Sequence, residues 1–150
     1  MSESEVIEMQ FMLMVKTSGD FEGGCKPSDE LMAAVGNYTQ ELRKAGALVE
    51  LSRLHPSSKG ARVKLLGQDR IVTDGPFAET KELVGGYWII RANSIDEAIA
   101  WAKRAPAPEG KACEIEIRQF LEMENFFPAG PADRAVKTGK ELAKANKQSQ

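Results

Sequence analysis

The segment 10–16 predicts a β-strand that carries apolar side chains on both of its faces. Side chains alternate along a strand, and both alternating sets are hydrophobic here: Phe11, Leu13 and Val15 on one face, Met12 and Met14 on the other. An antiparallel sheet with one solvated face should instead alternate between hydrophobic and polar residues. The fold must therefore cover both faces of the sheet that contains this strand.

Two helices, three more strands and a hairpin complete the order of elements. A helix over 28–45 is predicted from Ser28 as N-cap and from apolar residues at helical spacing, and Gly46 ends it. A second helix, 94–104, opens with the capping box Ser94-Ile95-Asp96-Glu97. Strands are predicted at 47–54, 87–92 and 113–121, and an accessory hairpin at 62–66 and 70–73.

Without the hairpin, the order is β-α-β-β-α-β, which predicts an α+β fold of the ferredoxin-like type. This fold places both helices on one face of an antiparallel sheet. The other face needs a different cover, because one of the two apolar sets of the first strand points towards it. A second copy of the same sheet is the simplest cover. The sequence therefore predicts a face-to-face homodimer whose sheets form a shared barrel.

A dense run of turn-forming and ionisable residues lies between the hairpin and the strand 87–92. Residues 74–82 read Asp-Gly-Pro-Phe-Ala-Glu-Thr-Lys-Glu, and Gly85-Gly86-Tyr87-Trp88 follows closely. The Asp-Gly pair favours a turn in which the Asp74 carboxylate accepts N–H bonds from the residues after Pro76, with unusual dihedrals at Gly75. The run 77–83 is long enough for about one helical turn, where backbone N–H groups and charged side chains could converge.

This string of residues resembles the signature of the DGPF-domain proteins, a branch of the YCII-related family. The resemblance covers residues 9–121, between an N-terminal extension, 1–8, and a C-terminal extension, 122–150, expected to be partly helical or disordered. It implies a dimeric α+β barrel, the arrangement that the first strand also predicts. It further implies an association with extracytoplasmic-function sigma factors. Some YCII-related proteins use a His–Asp pair, but this chain has Tyr38 and Gln40 where their His lies.

Composition narrows the classes of function. A net charge of −2 gives no electrostatic reason to expect nucleic acid as a partner, and the apolar runs are far shorter than a membrane span. The acidic start Met-Ser-Glu-Ser-Glu argues against a targeting peptide. Cys25 and Cys113 lack metal or redox spacing, and a lone His55 excludes a histidine-rich metal site, although not carboxylate ligands. We expect one cytoplasmic domain with no cofactor and no nucleic-acid or membrane partner.

The ionisable residues of the signature leave two roles open for Asp74. It could cap the turn, or it could act as a general acid or base in a cleft, with a pKa raised by partial burial. Glu79 and Glu82 share a helical face and could bind a cation, although solvent exposure is the more common outcome for such a pair. Lys81 is expected to balance the neighbouring carboxylates rather than to act as a nucleophile.

The last strand carries a second polar cluster, because charged residues alternate with apolar ones along it. Either these charges face solvent, or Glu116 and Arg118 pair inside a polar cavity. Tyr87 and Trp88 should point to opposite sides of their strand, one into the helix-packed core and one to the barrel face. We expect one cavity, within a chain or across the dimer, lined by Asp74 as the catalytic candidate and by the ligand-binding candidates Phe77, Glu79, Lys81, Tyr87, Glu116 and Arg118.

Two functions of different class follow from these residues. One is a non-catalytic small-molecule-binding or regulatory module, which the resemblance connects with sigma-factor systems. The other is an enzyme of the lyase, isomerase or dehalogenase type that acts by proton transfer. In the enzyme, Asp74 would be the acid or base, and Arg118 with Lys81 would hold an anionic group of the substrate. The fold alone does not decide between the two.

Overall fold

The structure is a computed structural model that describes residues 8–108 and 110–122. The fold described below is that of the unit that ends at Gln119, and the extensions expected at 1–8 and 122–150 lie outside the described residues except for Glu8 and Glu122. Its elements in chain order are β1 (Met9–Lys16), α1 (Gly19–Glu22), α2 (Asp29–Lys44), β2 (Leu48–Arg53), a 3-10 turn (Ser57–Lys59), β3 (Ala61–Leu66), β4 (Asp69–Asp74), a second 3-10 turn (Thr80–Glu82), β5 (Val84–Ala92), α3 (Ile95–Lys103) and β6 (Ile115–Gln119).

Four strands form one antiparallel sheet in the order β2-β5-β1-β6. Leu13 of β1 lies opposite Trp88 of β5 on one side and opposite Ile117 of β6 on the other. The register between β2 and β5 shifts between Leu48 and Glu50. An α+β chain with an antiparallel sheet and few helices is consistent with the ferredoxin-like fold expected from the order of elements.

The helices begin at serine N-caps. Ser28 Oγ accepts the N–H of Leu31 at 3.1 Å, and Ser94 Oγ accepts the N–H of Glu97 at 3.1 Å. Both caps are those predicted from the sequence, because each serine stands directly before a run with acidic residues in its first turn. Within the described ranges, no helix is both long enough and apolar enough to cross a membrane.

The core lies between the two long helices and one face of the sheet. Its four largest fully buried side chains are Phe11 and Leu13 of β1, Leu42 of α2 and Ile90 of β5. Trp88, Tyr38 and Ala98 extend the same cluster, so that β1 and β5 face both α2 and α3. The alternation of β1 places Phe11 and Leu13 on the helix-covered face, a choice between its two apolar sets that the sequence left open.

Tyr38 of α2 joins the helices to the sheet. Its ring meets that of Trp88 edge to face, with centroids 5.1 Å apart and an angle of 83° between the planes. The Tyr38 hydroxyl donates to the backbone oxygen of Trp101 at 2.6 Å, and Trp88 Nε1 donates to Thr39 Oγ1 at 3.3 Å. Burial of the hydroxyl raises the pKa of Tyr38 to about 12. The polar groups of this aromatic cluster are thus paired inside the core.

The accessory hairpin is confirmed as a separate two-stranded sheet of β3 and β4. Asp74 pairs with Ala61 as the last residue of β4, so that the first residue of the signature, 74–82, also ends the hairpin. The helical turn predicted over 77–83 is shorter than expected, since only Thr80–Glu82 forms a 3-10 turn. A segment of seven residues that also has to return the chain to β5 leaves no room for more.

Candidate functional site

The sheet face opposite the helices, which we call the open face, has an apolar centre. Alternation places Met12 and Met14 of β1 on it, next to Tyr87 and Ile89 of β5, which lie opposite them in the ladder. All four residues are only half-buried in the single chain. The prediction that Tyr87 and Trp88 point to opposite sides is confirmed, because Trp88 lies in the helix-packed core.

Charged side chains of β1 and β6 border this apolar centre. Glu116 lies opposite Met14 in the ladder between the two strands, and Arg118 lies opposite Met12. Lys16 Nζ is 3.2 Å from Glu116 Oε1, and an Arg118 guanidinium nitrogen is 3.4 Å from Glu116 Oε2. Glu116 and Arg118 thus pair, but in the single chain they do so at the exposed edge of the open face and not inside a polar cavity.

Electrostatics at this edge favour the charged form of Glu116. The hydrogen bond from Lys16, followed by that from Arg118, holds the pKa of Glu116 below its ordinary value. The Lys16 side chain is 16% exposed, whereas that of Arg118 is 72% exposed. Most of the donors on the Arg118 guanidinium therefore face solvent and are able to bind a carboxylate or another anion.

The opposite edge of the open face is acidic. The Tyr87 hydroxyl donates to Glu50 Oε2 of β2 at 3.1 Å. This hydrogen bond is the main reason why the pKa of Tyr87 is raised, because it stabilises the protonated phenol beside a carboxylate. The Tyr87 hydroxyl is thus held by Glu50, and the Tyr87 ring lies on the side of the methionines.

The residues 74–82, which we call the signature loop, are anchored by Ser57 and Glu22. Glu22 Oε2 accepts the backbone N–H of Ser57 at 2.9 Å, and Ser57 Oγ donates to Glu22 Oε1 in a short hydrogen bond. Ser57 Oγ also accepts the backbone N–H of Phe77 at 2.9 Å. One serine therefore joins α1, the first 3-10 turn and the signature loop. Neither Glu22 nor Ser57 is identified by the sequence, because their roles arise only from contacts between distant segments.

This anchor corrects the predicted role of Asp74 as the cap of the turn. Among the residues that the structure describes, the N–H of Phe77 is satisfied by Ser57, and the Asp74 side chain makes no hydrogen bond or ion pair. The Asp74 side chain is exposed in the single chain. A serine from another segment has taken the position in which the sequence places the aspartate.

The prediction of unusual dihedrals at Gly75 is wrong, because the φ of Gly75 is not positive. The reason for glycine is instead a close approach of two backbone segments. A Cβ at Gly75 would lie 1.7 Å from the carbonyl oxygen of Ser57 and 2.7 Å from its carbonyl carbon. The Gly75 N–H donates to the Gly60 oxygen at 2.9 Å, and the Gly75–Pro76 peptide bond is cis. Gly75 therefore permits the loop to lie against the 3-10 turn.

Phe77 is the one half-buried side chain among the four candidates of the signature loop. The Arg62 guanidinium of β3 lies over its ring, 3.9 Å from the centroid. Asp74, Glu79 and Lys81 are exposed. The loop thus holds its aromatic residue against the hairpin and presents its charges to solvent.

The predicted site residues form two groups in the single chain. Tyr87, Glu116 and Arg118 share the open face, together with Lys16 and Glu50, which sequence reasoning missed. The other group is that of the signature loop: Asp74, Phe77, Glu79 and Lys81. No hydrogen bond or ion pair between described residues joins Arg118 to Asp74 or Glu79. A common cavity that forms across a dimer stays a prediction.

Metal chemistry has no evident centre in the described part of the chain, which contains no cluster of three or more His, Cys, Asp or Glu residues able to hold an ion. His55 is exposed after β2. Cys25 and Cys113 form no disulfide, and partial burial raises the pKa of the Cys113 thiol. The open face and the signature loop therefore carry the candidate chemistry.

Comparison with known proteins identifies the family of the chain. Over 94 residues, the chain is 37% identical to an uncharacterized protein of Rhizobium meliloti (strain 1021), and this span covers 62% of the chain and 76% of the relative. The YCII-related domain matches residues 9–121, which include the whole sheet, the hairpin and the signature loop. The chain belongs to the YCII-related family.

Proposed function

We propose that this protein binds a small anionic molecule as a homodimer, with the ligand held at the open face between two sheets. The observation that carries the proposal is the composition of that face. Its centre is made of half-buried apolar side chains, and its border holds an arginine whose side chain is 72% exposed. An apolar floor with a few convergent polar groups is the usual composition of a small-molecule site.

The dimer follows from the apolar centre. A solvated sheet face normally carries polar side chains, but this one carries Met12, Met14 and Ile89. An exposed apolar patch of this kind usually marks an interface or a binding groove. Each side chain that goes from half-buried to buried contributes on the order of 1 kcal/mol. A second copy supplies the same face in return, which makes the pairing isologous and gives the dimeric α+β barrel as the proposed architecture.

The charges at the two edges favour one orientation of the second sheet. Lys16 and Arg118 share the carboxylate of Glu116 at the β6 edge, whereas Glu50 lies at the β2 edge. A two-fold axis parallel to the strands places the β6 edge of one copy over the β2 edge of the other. The cations of each copy then face the carboxylate of its partner, which favours this orientation over one that joins like edges.

Arg118 is the proposed anion-binding residue, because its planar guanidinium can hold a carboxylate or phosphate through two parallel hydrogen bonds. The DGPF branch and a regulatory role beside sigma factors belong to the same proposal and rest on the resemblance of residues 74–82. Catalysis with Asp74 as acid or base is less well supported. The Asp74 side chain is exposed in the single chain, whereas a general acid or base acts from within a cleft that holds its substrate.

The dimer is tested by sedimentation velocity of the full chain at micromolar concentration. We expect the native chain to sediment as a dimer or a larger species, and Met14→Lys to sediment as a smaller species than the native chain or to aggregate, because the substitution places a charge at the centre of the apolar face. Met32→Lys is the matched control, since Met32 is 46% exposed on α2. A native chain that stays monomeric, or a Met14→Lys variant that sediments as the native chain does, contradicts the proposed pairing.

The ligand site is tested by thermal unfolding in the presence of small carboxylates and phosphates, because a ligand that binds the native state raises its stability by mass action. We expect at least one of these anions to raise the melting temperature of the native chain, and Arg118→Ala to abolish that rise. Arg43→Ala, an exposed arginine on α2, is the control that should keep it. If both arginine variants respond alike, Arg118 does not bind the anion.

A further inference from the structure

The hairpin of β3 and β4 exposes more apolar surface than a two-stranded sheet needs to expose. All of its strand residues are exposed, and Val63, Leu65 and Val72 are 55%, 65% and 63% exposed. A two-stranded hairpin without a packed face is only marginally stable in water. Clustered exposed apolar residues of this kind mark an interaction surface.

The ladder divides the hairpin into two unlike faces. One of them, which we call the valine face, is formed by three directly opposed pairs: Ala61 with Asp74 at the base, Val63 with Val72 in the middle, and Leu65 with Arg70 at the tip. This face is apolar at its centre and carries opposite charges at its two ends. An Arg70 guanidinium nitrogen donates to the Gly67 and Asp69 oxygens at 2.6 and 2.9 Å, which holds the cation at the tip.

We propose that the valine face packs against the valine face of a second copy, with the two hairpins antiparallel about a two-fold axis. The Val63–Val72 pairs of the two copies then meet at the axis. Arg70 at the tip of each hairpin lies over Asp74 at the base of the other, and Leu65 lies over the small Ala61. The surface is thus complementary to itself in both charge and size, as an isologous interface requires.

The opposite face of the hairpin does not have this property. Its middle pair is Lys64 with Ile71, so a two-fold axis there would bring the lysines of two copies close together. Its base residue Arg62 already lies over the ring of Phe77. A second copy therefore fits the valine face and not the other one, and the arrangement of charge on the valine face identifies the occupant as a second copy.

The valine face is separate from the open face, and its pairing gives Asp74 a different role. In the packed hairpins, Asp74 forms an ion pair with Arg70 of the second copy. A carboxylate in this position fixes the register of two copies and is not available for proton transfer. The exposed charge in the signature then has a role in assembly.

Site-directed cross-linking tests which face is packed. In the full chain with Cys25→Ser and Cys113→Ser, a single thiol is introduced by Val72→Cys on the valine face or by Ile71→Cys on the opposite face. A short bismaleimide is used, because stacked sheets lie about 10 Å apart and the thiols of facing side chains lie closer than that. We expect Val72→Cys to form cross-linked dimers at micromolar concentration and Ile71→Cys to form few. Equal yields from the two thiols overturn the proposal.

Charge exchange tests the register in the Val72→Cys background. Arg70→Asp and Asp74→Arg each replace two attractive contacts by repulsive ones, so each should lower the rate of cross-linking by about tenfold. The double variant restores opposite charges and should restore the rate. Asp74→Asn, which preserves the shape of the side chain, should lower the rate less than Asp74→Arg. Rates that are unchanged in both single variants, or not restored in the double variant, overturn the proposed contact between Arg70 and Asp74.

Discussion

Substitution of Gly75 by alanine should destabilise the chain through a steric clash rather than through backbone strain. The added Cβ would lie 1.7 Å from the Ser57 oxygen, far inside the 3.4 Å at which ordinary contact begins. The Ser57 oxygen belongs to the backbone, so it cannot rotate away as the end of a flexible side chain can. The signature loop and the first 3-10 turn must therefore move apart.

The magnitude follows from the hydrogen bonds that this movement breaks. The bonds from the Gly75 N–H to the Gly60 oxygen and from the Phe77 N–H to Ser57 Oγ are both 2.9 Å long and both cross the contact. Each is worth about 0.5–1.5 kcal/mol, so we expect Gly75→Ala to lower the free energy of unfolding by about 1–3 kcal/mol. Urea unfolding followed by circular dichroism measures this as a lower midpoint, by about 1 M at a typical dependence on denaturant.

Two other glycines separate the clash from other effects of alanine. Gly36 lies inside α2 with no atom within 4 Å of an added Cβ, and Gly36→Ala should stabilise the chain by up to about 1 kcal/mol. Gly67 has a φ of +59° and open space around it, so Gly67→Ala should cost about 1–2 kcal/mol from strain, and Gly67→Asn less. At Gly75, asparagine should be no better than alanine. A Gly75→Ala variant within 0.5 kcal/mol of the native chain refutes the proposed close approach.

Two further predictions concern the carboxylates of the candidate site. The pKa of Glu116 is lowered in the folded chain, so its contribution to stability is present above the unfolded value of about 4.3 and is lost as the pH falls through the folded value. Glu116→Gln should therefore be less stable than the native chain at pH 7, and the difference in melting temperature should shrink below about pH 4.5. A difference that stays constant from pH 7 to pH 3 would exclude the ion pairs with Lys16 and Arg118 as its cause. Asp74→Asn should keep nearly native stability and should keep the anion-induced rise in melting temperature. If the native chain shows a turnover that this variant loses while it still binds the anion, the enzymatic alternative is favoured.

Local patterns predicted the fold well because each element is encoded in its own segment. The serines before α2 and α3 are both N-caps, and the alternation of β1 divided its apolar residues between two faces, one of which carries Phe11 and Leu13 in the core. The accessory hairpin was also correct, since two short β-prone segments flank a glycine turn at Gly67. These features need no information from distant residues.

The signature loop was predicted less well because its conformation depends on segments far apart in the sequence. A turn that begins with Asp-Gly favours capping by its own aspartate, but Ser57 takes that role and is itself held by Glu22 of α1. Similarly, the need for Gly75 arises from a carbonyl oxygen 18 positions earlier in the chain. Only the tertiary structure brings these backbone segments together.

The open face was predicted in part, because the alternation of β1 identified its methionines but was not extended to Lys16. Residues 12, 14 and 16 share one face of β1, so the same alternation that identified the methionines also places Lys16 beside the charges of β6. A lysine at that position neutralises Glu116 and leaves Arg118 largely exposed at 72%. Lys16 and Arg118 share the Glu116 carboxylate, so Lys16→Met should leave more of that negative charge to Arg118 and weaken anion binding even though Arg118 is unchanged.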